Sequence, residues 1–300
     1  MIEIDKVSKK FGNLQALNDV TFSINDGEVF GLLGTNGSGK STFMRIMAGI
    51  LKQDSGTLIV DNQGVYENIE IKKDIFLIPD ELYFFAAATP KDMGAFYSMA
   101  YPQFDMERYK KLLEQFELGY KRKINTLSKG LKKQLSIIIG ICAKTKYLFC
   151  DETFDGLDPI MRKVVKSIFA AEMTEREFIP IITSHNVREL EDICDSLVLL
   201  HKGSVLFAGY VDEIKNKVHR IQCIFPEELN KNKFLEDINA TSVKRQGSML
   251  IFTVRGDKED ILGIIKKQNP LFVETIPLSL EEIIISEGEV AGYEVQKFIE

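Results

Sequence analysis

Cysteine is scarce and scattered in this 300-residue chain: Cys142, Cys150, Cys194 and Cys223 form no C-x-x-C pair and no cysteine–histidine cluster. That pattern excludes a zinc ribbon and a disulfide framework, and it leaves buried free thiols as the expectation. Long apolar runs are missing too. The most apolar stretch, Leu135 to Ala143, is closed by Lys144 and Lys146, well short of the ~18 uncharged residues a bilayer-spanning helix needs. The opening segment, MIEIDKVSKKF, lacks the apolar core of a secretory leader, so the chain is expected in the cytosol. There is no excess of positive charge either. The formal net charge is -6, so no general attraction to nucleic acid is expected. The one basic cluster, Lys121, Arg122 and Lys123 followed by Lys129, Lys132 and Lys133, reads as a solvated face.

What is present suits a globular protein with a sizeable core: 45% of residues are hydrophobic and 27% are charged. The length suits two ordinary domains. Residues 2 to 30 alternate as strands, with turn signals at Phe11-Gly12-Asn13 and Asn25-Asp26-Gly27. Glu28 to Leu33 then reads as a short buried strand. Directly after it, Gly34-Thr35-Asn36-Gly37-Ser38-Gly39-Lys40-Ser41-Thr42 fits G-x-x-x-x-G-K-[ST] completely. Phe43, Ile46, Met47 and Ile50 follow at the spacing of one helical face. Strand, glycine-rich loop and helix start together make a polyphosphate cradle, because backbone amides converge there with the positive end of the helix dipole behind them. Lys40 is expected to reach the β- and γ-phosphates, and Ser41 to ligate Mg²⁺.

Thr57 to Val60 and Asp74 to Ile78 read as further strands. From Pro90 to about Ala143 the pattern turns helical, with faces formed by Met93, Phe96, Tyr97 and Ala100, by Tyr109, Leu112, Leu113 and Phe116, and by Leu131, Leu135, Ile138 and Cys142. This is an inserted helical subdomain, about 86–145. Tyr147 to Cys150 and Ile179 to Thr183 are near-continuous apolar strands separated by a helix from Pro159 to about Glu175, which implies a parallel sheet covered on both faces. Ser196 to Leu200 and Val205 to Ala208, joined at Lys202-Gly203, form a closing hairpin.

Asp151 and Glu152 end the Tyr147 strand, where ligand groups sit in open α/β sheets. Asp151 is placed to hold Mg²⁺, and Glu152 to polarise an attacking water. Leu127-Ser128-Lys129-Gly130-Leu131-Lys132-Lys133-Gln134 opens the third amphipathic helix. Asp155-Gly156-Leu157-Asp158-Pro159 follows the carboxylates, and Thr183-Ser184-His185 ends the last core strand. In this order and spacing, residues 2 to about 215 closely resemble the nucleotide-binding subunit of ATP-binding cassette (ABC) transporters.

The resemblance implies an α/β P-loop NTPase core with a parallel sheet, an antiparallel β lead-in and an inserted helical subdomain. It implies that Phe11 stacks on adenine, that Gly34 to Thr42 hold the phosphates, and that Ser128 and Gly130 belong to the signature motif facing the ATP of an opposing subunit. Asp151 matches the metal carboxylate, Glu152 the catalytic base, Asp158 the contact loop beyond them, and His185 the histidine that touches the γ-phosphate. ATP and Mg²⁺ are then the ligands, and the partners are a transmembrane permease subunit and a second ATP-binding subunit, either the same chain or a paralogue. Three departures stand out: Asp80, with Glu81 beside it, replaces the usual glutamine at a metal contact; Glu152 is followed by Thr153-Phe154; and Leu131 stands where glutamine is common.

Two other functions compete with transport. A non-transport ABC ATPase acting on DNA or ribosomes usually carries tandem cassettes, zinc insertions or coiled-coil arms, and a GTPase carries Asn-Lys-x-Asp; none of these is in the sequence. The segment Tyr101-Pro102-Gln103-Phe104-Asp105 and the long tail look most like bacterial export-type subunits for drugs, lipid-like compounds or amphipathic peptides. Leu82-Tyr83-Phe84-Phe85 is expected to border the groove that receives the permease.

The ATP-binding domain is assigned to 1–218 and a small α+β accessory domain to 219–300. In the latter, Ile221 to Phe225, Glu227 to Leu235, Thr241 to Lys244, Met249 to Val254, Lys258 to Gln268 and Leu271 to Ile276 read as β-α-β-β-α-β, a ferredoxin-like order. Leu278 to Glu287 follows as an amphipathic helix.

Overall fold

A computed structural model describes residues 1–226 and 231–290 of the chain. The chain divides into two compact units, Met1–Ala208 and Gly209–Glu300.

In the first unit, β1 (Ile2–Phe11) and β2 (Leu14–Ile24) form the antiparallel lead-in, registered from Ile2 opposite Ile24 to Phe11 opposite Leu14. Period-two alternation puts Ile2, Ile4, Val20 and Ile24 into the core, and a shift of register brings Leu17 to the same side. β3 (Phe30–Gly34) is buried at every position and feeds α1 (Lys40–Met47). The strand begins at Phe30 rather than Glu28, because the Glu28 carboxylate closes the preceding turn by accepting the Asn25 amide at 2.8 Å. Helix α1 stops before Ile50. Gly49 takes φ +65°, and Ile50 is left 57% exposed instead of sharing the buried face of Phe43, Ile46 and Met47.

β4 (Ser55–Val60) and the short β5 (Gln63–Gly64) extend the lead-in sheet in the order β2-β1-β4-β5. After α2 (Ile69–Lys73) and β6 (Ile75–Ile78) come the inserted helices α3 (Pro90–Ala100), α4 (Met106–Gln115) and α5 (Lys129–Cys142). Each of the three has a side-chain N-cap, from Thr89, Asp105 and Ser128 respectively. Tyr109, Leu112 and Leu113 of α4 and Leu135, Ile138 and Cys142 of α5 are buried, as their spacing requires. The α3 face is only partly covered. Met93 is buried, but Phe96 is 39% exposed and belongs to an edge-to-face chain of rings running from Tyr83 through Phe85 to Tyr97.

β7 (Tyr147–Asp151), α6 (Pro159–Glu175), β8 (Ile179–Ser184), α7 (Val187–Ile193), β9 (Ser196–His201) and β10 (Ser204–Tyr210) complete the core. The main sheet runs β10-β9-β3-β8-β7-β6, and the five strands from β9 to β6 are parallel. The carboxyl ends of β3, β7 and β8 therefore come side by side. That edge carries the chemistry.

In the second unit, α8 (Val211–Lys217), β11 (Val218–Ile224), α9 (Lys231–Asp237), β12 (Thr241–Gln246), β13 (Met249–Arg255), α10 (Lys258–Lys266) and β14 (Phe272–Ile276) precede α11 (Leu280–Val290). The sheet order is β12-β13-β11-β14, antiparallel throughout. Ile221, Cys223, Phe234, Leu250, Phe252 and Ile265 form its core. Residues 227–230, the expected start of the helix ending at Leu235, lie outside the described residues. The division falls before the expected 218/219 boundary because α8 packs on β11 and α11. All four cysteines are buried and unbridged.

Candidate active site

The phosphate loop is shaped by two close approaches. A Cβ at Gly34 would collide with the Ser38 hydroxyl and lie 2.6 Å from the Leu200 carbonyl oxygen, and Gly39 takes φ +106° with the Ala16 carbonyl 2.5 Å from where its Cβ would stand. Only glycine fits both places without displacing backbone. Helix α1 begins with no side-chain cap, so the amides of its first turn are available to an anion. The buried Ser38 hydroxyl has no hydrogen-bond partner among the described residues. An oxygen-rich polyanion fits such a loop.

Lys40 is 5% exposed and curls over the loop: its ammonium donates to the Gly34 carbonyl at 2.7 Å and the Thr35 carbonyl at 3.2 Å, and lies 3.0 Å from Glu152 Oε1. The other Glu152 oxygen meets His185 Nδ1 at 2.8 Å. Three side chains from α1, the end of β7 and the end of β8 thus converge, as the motif reading expects. Asp151 lies beneath them, buried, accepting from the Thr183 hydroxyl at 2.6 Å. Burial raises its pKa, hydrogen bonds from Thr183 and Ser41 oppose the rise, and the charges of Glu152 and Asp80 reinforce it. Ser41 is therefore a neighbour of Asp151, and the charge of the exposed Asp80 is felt there. Among the described residues no group of three His, Cys, Asp or Glu could enclose a metal by itself. The donors near Ser41 are oxygens, which suits Mg²⁺ bound partly through a polyphosphate.

The other expected residues are dispersed around this centre. Phe11 stands at the tip of the β1–β2 hairpin, 46% exposed, with the Lys9 ammonium 5.6 Å from its ring centre. Ser128 caps α5 by accepting the Leu131 amide at 3.3 Å, and Gly130 lies against Gly156, whose carbonyl oxygen would be 3.5 Å from an added Cβ. Asp158 caps α6, accepting the Met161 amide at 2.9 Å. Ser128 and Asp158 are both exposed.

Lys133 departs from its expected solvated face. It is 1% exposed and donates to the Glu152 carbonyl at 2.7 Å. Its ammonium is also 3.6 Å from Asp155; burial acts to raise that carboxyl's pKa, but Lys133 and Lys129 hold it below the usual range. A second residue missed in the sequence is Glu189, buried and accepting the Ser184 hydroxyl at 2.7 Å, which braces the turn bearing His185. Its position four residues after the histidine, on a short helix, was the available signal.

The family profile described as ABC transporter matches residues 17–155. The ABC transporter ATP-binding protein YtrB of Bacillus subtilis is 30% identical over 95% of this chain and 97% of its own length. The chain belongs to the ATP-binding proteins of ABC transporters. ABC relatives include a lipopolysaccharide export ATP-binding protein, LptB, of Haemophilus influenzae (27% identical; 72% of this chain, 93% of LptB) and a methionine import ATP-binding protein, MetN, of Clostridioides difficile (26%; 88% and 90%). A solved ATP-binding subunit of an ABC transporter superposes with TM-score 0.64 at 26% identity, covering 72% of this chain and 92% of that one. Like its ABC family, the chain is an ATPase that works with transmembrane components, and among its described residues no helix is long and apolar enough to cross a membrane.

Proposed function

We propose that this ABC ATPase hydrolyses Mg²⁺-ATP between two ATP-binding subunits and uses the resulting closure and reopening to drive a separate permease at the cytoplasmic face of the membrane. The observation that carries the reading is the convergence of Lys40, at the start of α1, with Glu152 and His185 at the ends of β7 and β8. Adenine stacks on Phe11, and the loop from Gly34 through Thr35, Asn36, Gly37, Ser38 and Gly39 to Thr42 wraps the phosphates. Lys40 leaves Glu152 for the β- and γ-phosphates, a swap of one anionic partner for another. Freed of that ion pair, the Glu152 carboxylate accepts a proton from the attacking water, and His185 turns its ring toward the γ-phosphate.

Ser41, Asp151 and Asp80 are the residues that would hold Mg²⁺, and the ion would supply positive charge against the negative charge of the phosphates. The exposed Ser128 and Asp158 and the half-buried Gly130 meet the nucleotide of the opposing subunit, so one nucleotide touches two chains. Loss of the γ-phosphate removes the differential affinity that holds them closed. Nucleic acid has no part in the cycle. The export direction, with a drug, lipid-like compound or amphipathic peptide as cargo, rests on the Tyr101 to Asp105 segment and the tail; relatives named for import and for export share the cassette.

The decisive experiment replaces Glu152 by Gln. Loss of a general base lowers turnover by roughly 10²- to 10⁴-fold, and ATP binding should survive. Full ATPase activity in this variant would remove Glu152 from the mechanism. Copurification of an integral membrane protein with the wild-type chain tests the coupling to transport.

A further inference from the structure

Glu152 holds its carboxylate between Lys40 and His185 from an unusual backbone. Its φ is +48°, in the left-handed region that a branched-out side chain seldom occupies. Such a conformation persists only where the surroundings fix it. Here both backbone groups of Glu152 are gripped by side chains from other segments. Its amide donates to the Thr183 hydroxyl on β8 at 2.9 Å, and its carbonyl accepts from the Lys133 ammonium on α5 at 2.7 Å.

Lys133 is unlike the lysines around it. Lys129 has a 73% exposed side chain, whereas Lys133 is 1% exposed and spends its length reaching inward. Burying an ammonium is unfavourable unless acceptors surround it, so a lysine kept here must be answered by the groups it meets. Those groups are the Glu152 carbonyl and, at 3.6 Å, the Asp155 carboxylate three residues on. One cation thus bridges both sides of the turn that follows the catalytic strand.

We propose that Lys133 is a positioning residue for Glu152: by fixing the carbonyl of a left-handed residue, it sets the direction in which the Glu152 carboxylate points. The proposal rests on the reading of Glu152 as the residue that activates water. A cation that merely packed α5 against the core would support the fold and leave turnover unchanged. A cation that aims the carboxylate acts on kcat, because a displacement of about 1 Å at a reacting group can lower a rate by about 100-fold.

The test uses the full chain with Lys133→Met, which keeps the aliphatic stem and removes the donor, and Lys133→Arg, which keeps a cation. In Lys133→Met, kcat for ATP should fall by about 10- to 100-fold while KM stays within about threefold. Lys133→Arg should recover most of the loss. In a Glu152→Gln background the same Lys133→Met change should lower the residual rate by less than about twofold, because residues that act as one unit are not additive. An unchanged kcat, an equal loss in both backgrounds, or an Arg variant no better than Met overturns the proposal. If the Met variant does not fold, Lys133→Gln, judged by the same kcat and KM comparison, takes its place. Full activity in Glu152→Gln itself would overturn the underlying reading instead, so the two failures are told apart.

Discussion

Gly39 shows how one residue can serve shape and function together. Its φ of +106° is costly for any L side chain, and the Ala16 carbonyl occupies the space a Cβ would need. Strain of this kind costs on the order of 1–3 kcal/mol, and the loop must also shift away from Ala16. Gly39→Ala should therefore lower the melting temperature and abolish the further rise that ATP gives the wild type; an intact ATP-induced shift would contradict the cradle assignment. Asp80 offers a second test. An exposed carboxylate near Asp151 adds negative charge where the family resemblance implies an amide. Asp80→Asn should move the Mg²⁺ titration of ATPase activity to higher Mg²⁺ and leave nucleotide affinity largely intact, and an unchanged titration removes Asp80 from the metal site. The glycines, Lys40 and the carboxylate pair were legible in the sequence because a contiguous motif names them. Lys133 was not: three lysines in five residues look like a wet surface, and only the packing of α5 against the turn after β7 selects one of them for burial.

At the scale of elements, the helix periods were legible where most of a stripe is buried, as in α4 and α5, whose Phe116 and Leu131 ends are half-buried, and misleading at Ile50, where Gly49 ends the helix before the stripe is complete. Ion pairs between elements left only a partial sequence signal. Glu172 of α6, with a fully buried side chain, is met by Lys144 from the turn after α5 at 2.9 Å, by Arg176 at 2.8 Å, and by Arg108 of α4 at 3.5 Å. The i,i+4 spacing of Glu172 and Arg176 is legible locally, but Lys144 and Arg108 come from distant segments, so the sequence does not reveal the whole cluster. Burial acts to raise the Glu172 pKa, but Arg176 and Lys144 outweigh it and hold the carboxyl below its ordinary value of 4.5. A depressed folded pKa means stability that is present above pH 4.5 and lost as the pH falls through the lower, folded value. Removing the carboxylate strands its cations, a change that typically costs about 3–5 kcal/mol. Glu172→Gln should accordingly melt well below wild type at pH 7, and the gap should narrow as the pH drops below 4.5. A gap that stays constant down to pH 3 would show that the cluster contributes packing rather than charge.

At the scale of the whole molecule, one chain carries every motif, yet the motifs do not all meet in one place. Ser128 and Asp158 are exposed and cap their own helices, and neither belongs to the Lys40, Glu152 and His185 cluster. A second copy that brings its Ser128 to this nucleotide would complete the site, and the same contact reciprocated makes two sites, the isologous arrangement of a symmetric dimer. If hydrolysis is what reopens it, a variant that binds ATP without cleaving it should accumulate closed. Glu152→Gln removes the negative charge facing the γ-phosphate and also releases Lys40 from its 3.0 Å ion pair. In light scattering, this variant should pass from monomer to dimer with ATP and remain monomeric with ADP. Lys40→Ala in the same background should not dimerise, since the phosphate grip is lost first. Ser128→Arg with Glu152→Gln should bind ATP and still stay monomeric, because the added guanidinium obstructs the opposing site. Dimerisation that survives Ser128→Arg would mean that the copies meet elsewhere, and the shared nucleotide would have to be abandoned.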